Sequence, residues 1–216
     1  MTTVLRAGTD VREARLAVVL VHGRGGSAAD LLSLTSDLGA DDAGFVAPEA
    51  PGHTWYPYSF LAPMTQNEPH LSTSLATIGA MVDDLLVQGL SSDRIALLGF
   101  SQGACLALEF AARNARRYAG LVAFSGGLIG PPGTPRTYPG SFVGTPVFLG
   151  CSDVDAHIPL ARVHESAAVF ERMGASVDAR IYPGMGHTIV EDEVQAAAAI
   201  LAAVSPRPRA APDPRR

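Results

Sequence analysis

Short apolar runs bounded by turn residues recur along the chain: "LAVVLV" (16–21), "GFVAPEA" (44–50), "IALLGF" (95–100), "GLVAFSGG" (120–127), "PVFLGCS" (146–152) and "VDARIYP" (177–183). Each has the length and composition of a buried β-strand. The intervening stretches "AADLLSLTSDLG", "HLSTSLATIGAMVDDLLVQG", "QGACLALEFAARNARR", "LARVHESAAVFERMG" and "TIVEDEVQAAAAILAAVS" return apolar residues every three or four positions, the period of an amphipathic helix. Strands that are apolar on both faces and alternate with helices predict a mostly parallel central sheet with helices on both sides, because parallel neighbours need crossover connections. In such a sheet the functional site is expected beyond the carboxyl ends of the strands.

Two segments break the alternation. Residues 50–70, "APGHTWYPYSFLAPMTQNEPH", carry four prolines and a cluster of aromatics without periodicity, and they predict a long ordered loop or lid. The end of the chain, "SPRPRAAPDPRR", is too rich in proline and charge to build a packed element. The expected organisation is therefore one domain over residues 1–205 and a disordered tail at 206–216.

Composition narrows the classes of function. With 47% hydrophobic and 17% charged residues in 216, the chain can bury one substantial core. Its formal charge of −5 gives no general attraction to nucleic acid or to an anionic membrane, the terminal arginines aside. Neither end resembles a targeting signal and no run is long enough to span a bilayer, so a cytoplasmic protein without a stable membrane anchor is expected. Cys105 and Cys151 lie inside apolar runs and read as buried, unpaired thiols.

The chemistry concentrates at "GFSQGA" (99–104), where a strand pattern meets a helix pattern around Ser101. A sharp strand-to-helix turn brings backbones close, and Gly99 and Gly103 leave room for that approach, so Ser101 would project above the sheet as a nucleophile. A serine hydroxyl needs a base, and the base needs an acid to fix its tautomer. After "PVFLG" come Asp153 and Asp155, and after "VDARIY" comes His187 in a glycine-rich turn. The order Ser, Asp, His is the one used on α/β-hydrolase sheets, with either aspartate available as the acid. Donors for a developing oxyanion are the backbone N–H of Gln102, directly after the nucleophile, and that of Arg24 in the loop "HGRGG"; His22, at the end of the strand, is expected to shape that turn.

Taken together, "LVHGRGG", "APEAPG", "SSDRIALLGFSQGACLALEFA", "FSGGL", "DAHIPL" and "YPGMGHTI" resemble the phospholipase/carboxylesterase family of α/β-hydrolases, a group that includes bacterial carboxylesterases and acyl-protein thioesterases. The resemblance implies an α/β-hydrolase fold and a cofactor-free, metal-free serine hydrolase of carboxylic esters or thioesters. It implies Ser101 as nucleophile, His187 as base, Asp155 as acid, and Arg24 and Gln102 as oxyanion donors. The chain departs from the commonest pattern in carrying Ala156 where proline is frequent. A small-molecule ester or thioester is the expected partner, and a homodimer is compatible with the sequence. Trp55 and Tyr56 of the aromatic loop are expected to contact the acyl or aryl group.

Rival readings compete for the same residues. Gly23, Gly25 and Ala28, with Glu49 further on, satisfy a relaxed dinucleotide-binding pattern, but they leave Ser101 and His187 without a purpose. Asp153, Asp155 and His157 alternate as metal ligands would, without further ligands at suitable spacing. A binding protein that has lost its chemistry would not be expected to keep a full set of catalytic residue types.

Overall fold

A computed structural model describes residues 2–206. Among them, seven strands form one sheet in the order β1-β3-β2-β4-β5-β6-β7. They are β1 (Val4–Gly8), β2 (Leu16–Val21), β3 (Ala43–Pro48), β4 (Ile95–Phe100), β5 (Gly120–Phe124), β6 (Pro146–Ser152) and β7 (Ser176–Tyr182). All neighbours are parallel except β1, which runs antiparallel to β3. The fold is that of an α/β-hydrolase.

The strand β1 has no counterpart in the hydrophobic pattern. It lies at the sheet edge, partly exposed along its length, and a strand that buries so little apolar surface leaves a weak signature. The stretch expected to begin a long helix at Ala28 divides into α1 (Ala28–Leu32) and a 3₁₀ turn (Ser33–Ser36). The remaining helices are α2 (His70–Val87), α3 (Gln102–Arg113), α4 (Leu160–Arg172) and α5 (Glu191–Ala202).

Two apolar layers cover the sheet, and the strand period of two sorts side chains between them. Val19 and Val21, Leu97, Leu121 and Ala123, and Val147 and Leu149 pack with α2, α3 and α4 on one face. Val18, Leu20, Leu98, Val122 and Phe148 point to the opposite face, against α1 and α5. Helix α2 sends Leu71, Leu75, Ile78, Val82 and Leu85 inward at helical spacing, each worth about 1.5–3 kcal/mol of burial. Helix α3 is buried from Gln102 through Ala112, held between the sheet and α2, which is why its sequence is apolar nearly all round.

Residues 50–70 form an ordered connection with two 3₁₀ turns, Pro51–His53 and Met64–Asn67. Buried Asn67 stands in for secondary structure there, accepting from Tyr58 N at 2.8 Å and donating to Ser59 O at 3.0 Å. The expected tail at 206–216 lies, beyond Pro206, outside the described residues. Among those described, no helix is long and apolar enough to cross a membrane.

Candidate active site

The carboxyl ends of β4, β6 and β7 converge on one side of the sheet and carry Ser101, Asp155 and His187 in the loops that follow. Ser101 sits between β4 and α3 with φ 53° and ψ −118°, a conformation that L-residues rarely adopt. The turn is held tight by packing. A Cβ on Gly99 would come within 2.6 Å of Ala104 N, and one on Gly103 would overlap the carbonyl oxygens of Val21 and His22. Ser101 N donates to Phe124 O at 2.9 Å, which ties the elbow to β5. Although Ser101 occupies the N-cap of α3, its side chain makes no capping hydrogen bond. It faces His187 instead.

Ser101 Oγ lies 2.8 Å from His187 Nε2, and His187 Nδ1 lies 2.7 Å from Asp155 Oδ2. With an ionised Asp155, the Nδ1 proton is donated to the carboxylate, so Nε2 is left to accept from the serine hydroxyl. The Asp155 carboxylate is fully buried while the imidazole remains one-fifth exposed. Burial opposes ionisation of Asp155, but the hydrogen bonds from His187 and from the backbone N–H groups of His157 and Ile158 outweigh it and hold the carboxyl below its ordinary range. Those backbone bonds, at 2.8 and 3.0 Å, also fix the loop after β6. Asp153 serves another purpose, accepting from Gly184 N at 2.8 Å and so joining the Asp and His loops. The imidazole packs between Phe100 and His157, with ring centroids 5.0 and 4.7 Å away.

Cys151 contributes something its apolar surroundings do not announce. Burial, reinforced by the neighbouring Asp155 charge, pushes its thiol up to about 12, so it stays protonated, with Sγ 3.8 Å from Asp155 Oδ2. Cys105 is buried as well, and desolvation raises its thiol to about 12, which removes it as a nucleophile even though it lines the cavity beside Ser101. Both cysteines are free.

A cavity of about 360 Å³ opens beside Ser101, its walls formed by Tyr56, Tyr58, Phe60, Phe100, Ile158 and the Arg24 side chain. This is the size of a small-molecule site. Within the described residues, no hydrogen bond engages the backbone N–H of Arg24 or that of Gln102. The expected acyl contacts of the aromatic loop divide. Tyr56 lines the cavity, but Trp55 does not: it is 2% exposed, stacks on His22 at 5.1 Å and donates Nε1–H to His22 O at 2.8 Å. The indole is needed for packing, and Tyr58 and Phe60 replace it at the wall.

Both ring nitrogens of His22 are engaged by backbone groups. Its Nδ1 contacts Gly23 O at 2.7 Å, while Nε2 accepts from Ala50 N at 3.1 Å, leaving no lone pair for a reaction. The residues of the nucleotide-like pattern are also committed. Glu49 Oε2 accepts from Ala28 N at 2.8 Å, and Ser27 and Asp30 form a capping box, so a carboxylate already occupies the start of α1 where a phosphate would bind. Asp153 and Asp155 point at different partners, and among the described residues no three His, Cys, Asp or Glu side chains are grouped to hold a metal ion.

Comparison with known proteins places this geometry in context. Residues 8–205 match the family model described as phospholipase/carboxylesterase. Acyl-protein thioesterase 1 of Saccharomyces cerevisiae is 28% identical over 214 residues, covering 88% of this chain and 93% of that protein. The crystal structure of a phospholipase/carboxylesterase from Dyadobacter fermentans superposes with a TM-score of 0.90 at 44% identity, over 94% of this chain and 97% of the other. That of esterase PE8 gives 0.79 at 28% identity, over 94% and 99%.

Proposed function

The chain belongs to the phospholipase/carboxylesterase family, and from that premise we propose that it hydrolyses carboxylic esters or thioesters through an acyl-enzyme on Ser101, with His187 as base and Asp155 as the acid that orients it. The observation that carries this reading is the unbroken relay Ser101 Oγ to His187 Nε2 at 2.8 Å and His187 Nδ1 to Asp155 Oδ2 at 2.7 Å, starting from a serine held in a strained elbow.

In the first half-reaction Ser101 Oγ attacks the carbonyl carbon as its proton passes to Nε2. The imidazolium formed is stabilised by Asp155, whose charge is secured by its hydrogen bonds. The carbonyl oxygen becomes an oxyanion and accepts from the backbone N–H groups of Arg24 and Gln102. As the tetrahedral intermediate collapses, Nε2–H protonates the departing alcohol or thiol. Water then attacks the acyl carbon, gives its proton to His187, and the acid is released with Ser101 restored.

The aromatic and aliphatic wall of the cavity suits an apolar acyl or aryl portion, and the yeast relative's name supports including thioesters. The free, buried thiols fit a reducing compartment, and we place the protein in the cytoplasm. A panel of para-nitrophenyl esters and acyl thioesters of graded length tests the proposal. The wild type should turn over some of them and Ser101→Ala should lose activity by several orders of magnitude while remaining folded. Equal turnover by both proteins would refute it.

A further inference from the structure

Residues 55–58 belong to no helix or strand, so their backbone polar groups must be satisfied by side chains or solvent. Two of the side chains that meet them belong to the residues assigned to the oxyanion hole. Gln102 Oε1 accepts from Trp55 N at 3.0 Å, and Gln102 Nε2 donates to Tyr56 O at 2.8 Å. The Arg24 guanidinium spreads over three consecutive carbonyls, donating to Tyr56 O and Tyr58 O at 2.8 Å and to Pro57 O at 2.9 Å. Tyr56 O is shared by both side chains. The same segment supplies part of the cavity wall through Tyr56 and Tyr58.

We propose that the side chains of Arg24 and Gln102 are positioning residues that clamp segment 55–58 to the oxyanion hole, so that the hole's geometry depends on the wall that receives the substrate. The inference rests on the serine-hydrolase reading above. The two ends of the clamp are unequal. The peptide of Gln102 opens α3 and is oriented by that helix. The peptide of Arg24 lies between Gly23 and Gly25, the latter at φ 75°, in a turn outside any helix or strand, so it is held by individual hydrogen bonds and not by a regular ladder. Gly23 O, the carbonyl of that same peptide, accepts from Gly26 N at 3.1 Å and meets His22 Nδ1 at 2.7 Å, and Gly25 N donates to His53 O at 2.7 Å; the guanidinium and its three carbonyls add the tie that joins this turn to segment 55–58. An oxyanion donor must meet the position that the charge reaches in the transition state, so loosening this peptide weakens the transition state and leaves ground-state binding nearly untouched.

A planar five-donor fork can serve three carbonyls at once, which a single ammonium cannot do in the same geometry. Arg24→Lys therefore restores the charge without restoring the clamp.

The test compares kcat and KM for Arg24→Met, Arg24→Lys and Gln102→Met, all of which retain the backbone N–H. Each Arg24 variant should lose roughly 10- to 100-fold in kcat with KM changed by less than about threefold. An alkyl boronic acid, which forms a tetrahedral adduct with the serine, should bind more weakly by the same factor. Arg24 is exposed, so its variants should keep the wild-type melting temperature closely. Gln102 is buried, and if Gln102→Met melts early the Arg24 pair decides the question. An unchanged kcat in both Arg24 variants, or a raised KM at unchanged kcat, would overturn the clamp. Fluorophosphonate labelling of wild-type Ser101 is run alongside: a labelled wild type with fully active Arg24 variants defeats the clamp alone, whereas an unlabelled wild type defeats the reading beneath it.

Discussion

Asp155 Oδ2 lies 2.7 Å from His187 Nδ1, and its other oxygen is held by two backbone N–H groups of its own loop. Asp153, two residues earlier, is turned toward Gly184 N. The two carboxylates are therefore predicted to differ sharply in function. Asp155→Asn should lower kcat by on the order of 10⁴-fold, since the amide can present its NH₂ to Nδ1 and favour the wrong tautomer. Asp153→Asn should cost little activity. Steady-state kinetics on the two variants, with thermal melts to verify folding, check the contrast.

The elbow predicts a stability effect that is separate from chemistry. Gly103→Ala places a methyl group on the carbonyls of Val21 and His22, which belong to β2 and its connection and cannot move without shifting the sheet. A loss above about 3 kcal/mol is expected from such overpacking against backbone. Urea unfolding should show the midpoint collapse, or the protein should fail to accumulate in folded form.

Trp55 and Tyr58 are predicted to part company. Trp55→Ala removes a buried ring and its bond to His22 O, and should cost about 3–5 kcal/mol of stability. Tyr58 is 56% exposed at the cavity, so Tyr58→Ala should leave the melt nearly unchanged and alter the ranking of ester chain lengths. Parallel melts and chain-length profiles distinguish the two roles.

Much of this is legible in the sequence because the central strands are buried on both faces and announce themselves as continuous apolar runs: "LAVVLV", "IALLGF" and "PVFLGCS" coincide with β2, β4 and β6. The serine, histidine and aspartates stand out because a strand end followed by a turn is a local pattern. What stays hidden depends on contacts between distant segments. The edge strand β1 buries too little to show a period, and Trp55 is indistinguishable in sequence from a wall residue until its neighbour His22 is placed beside it. Nor does any local pattern reveal that the side chains of Arg24 and Gln102, far apart in the chain, meet at Tyr56 O.

Glu193 supplies a pH-dependent prediction. Its side chain is fully buried behind Gly150, where a Cβ would strike the carboxylate, and Oε1 has no hydrogen-bond partner. Burial, against the opposing bond from Val190 N and aided by the Asp192 charge, pushes the carboxyl up to about 7 from an ordinary value of 4.5. The native state thus holds a proton that the unfolded chain releases, and stability declines as pH rises from 4.5 through 7. Glu193→Gln keeps an acceptor for Val190 N and removes the penalty. It should exceed the wild type by up to about 3 kcal/mol above pH 7 and converge with it below pH 4.5, as measured by denaturant unfolding across that range.

Catalysis by this relay requires a covalent bond to one oxygen atom, Ser101 Oγ. Intact-mass and peptide-mapping spectrometry after exposure to a fluorophosphonate reads it directly. The wild type should gain a single adduct on the peptide carrying Ser101, with ester hydrolysis lost in proportion to labelling, and a folded Ser101→Ala should gain none. An adduct on another residue that abolishes activity, or a wild type that hydrolyses esters while Ser101 stays unmodified, would contradict it.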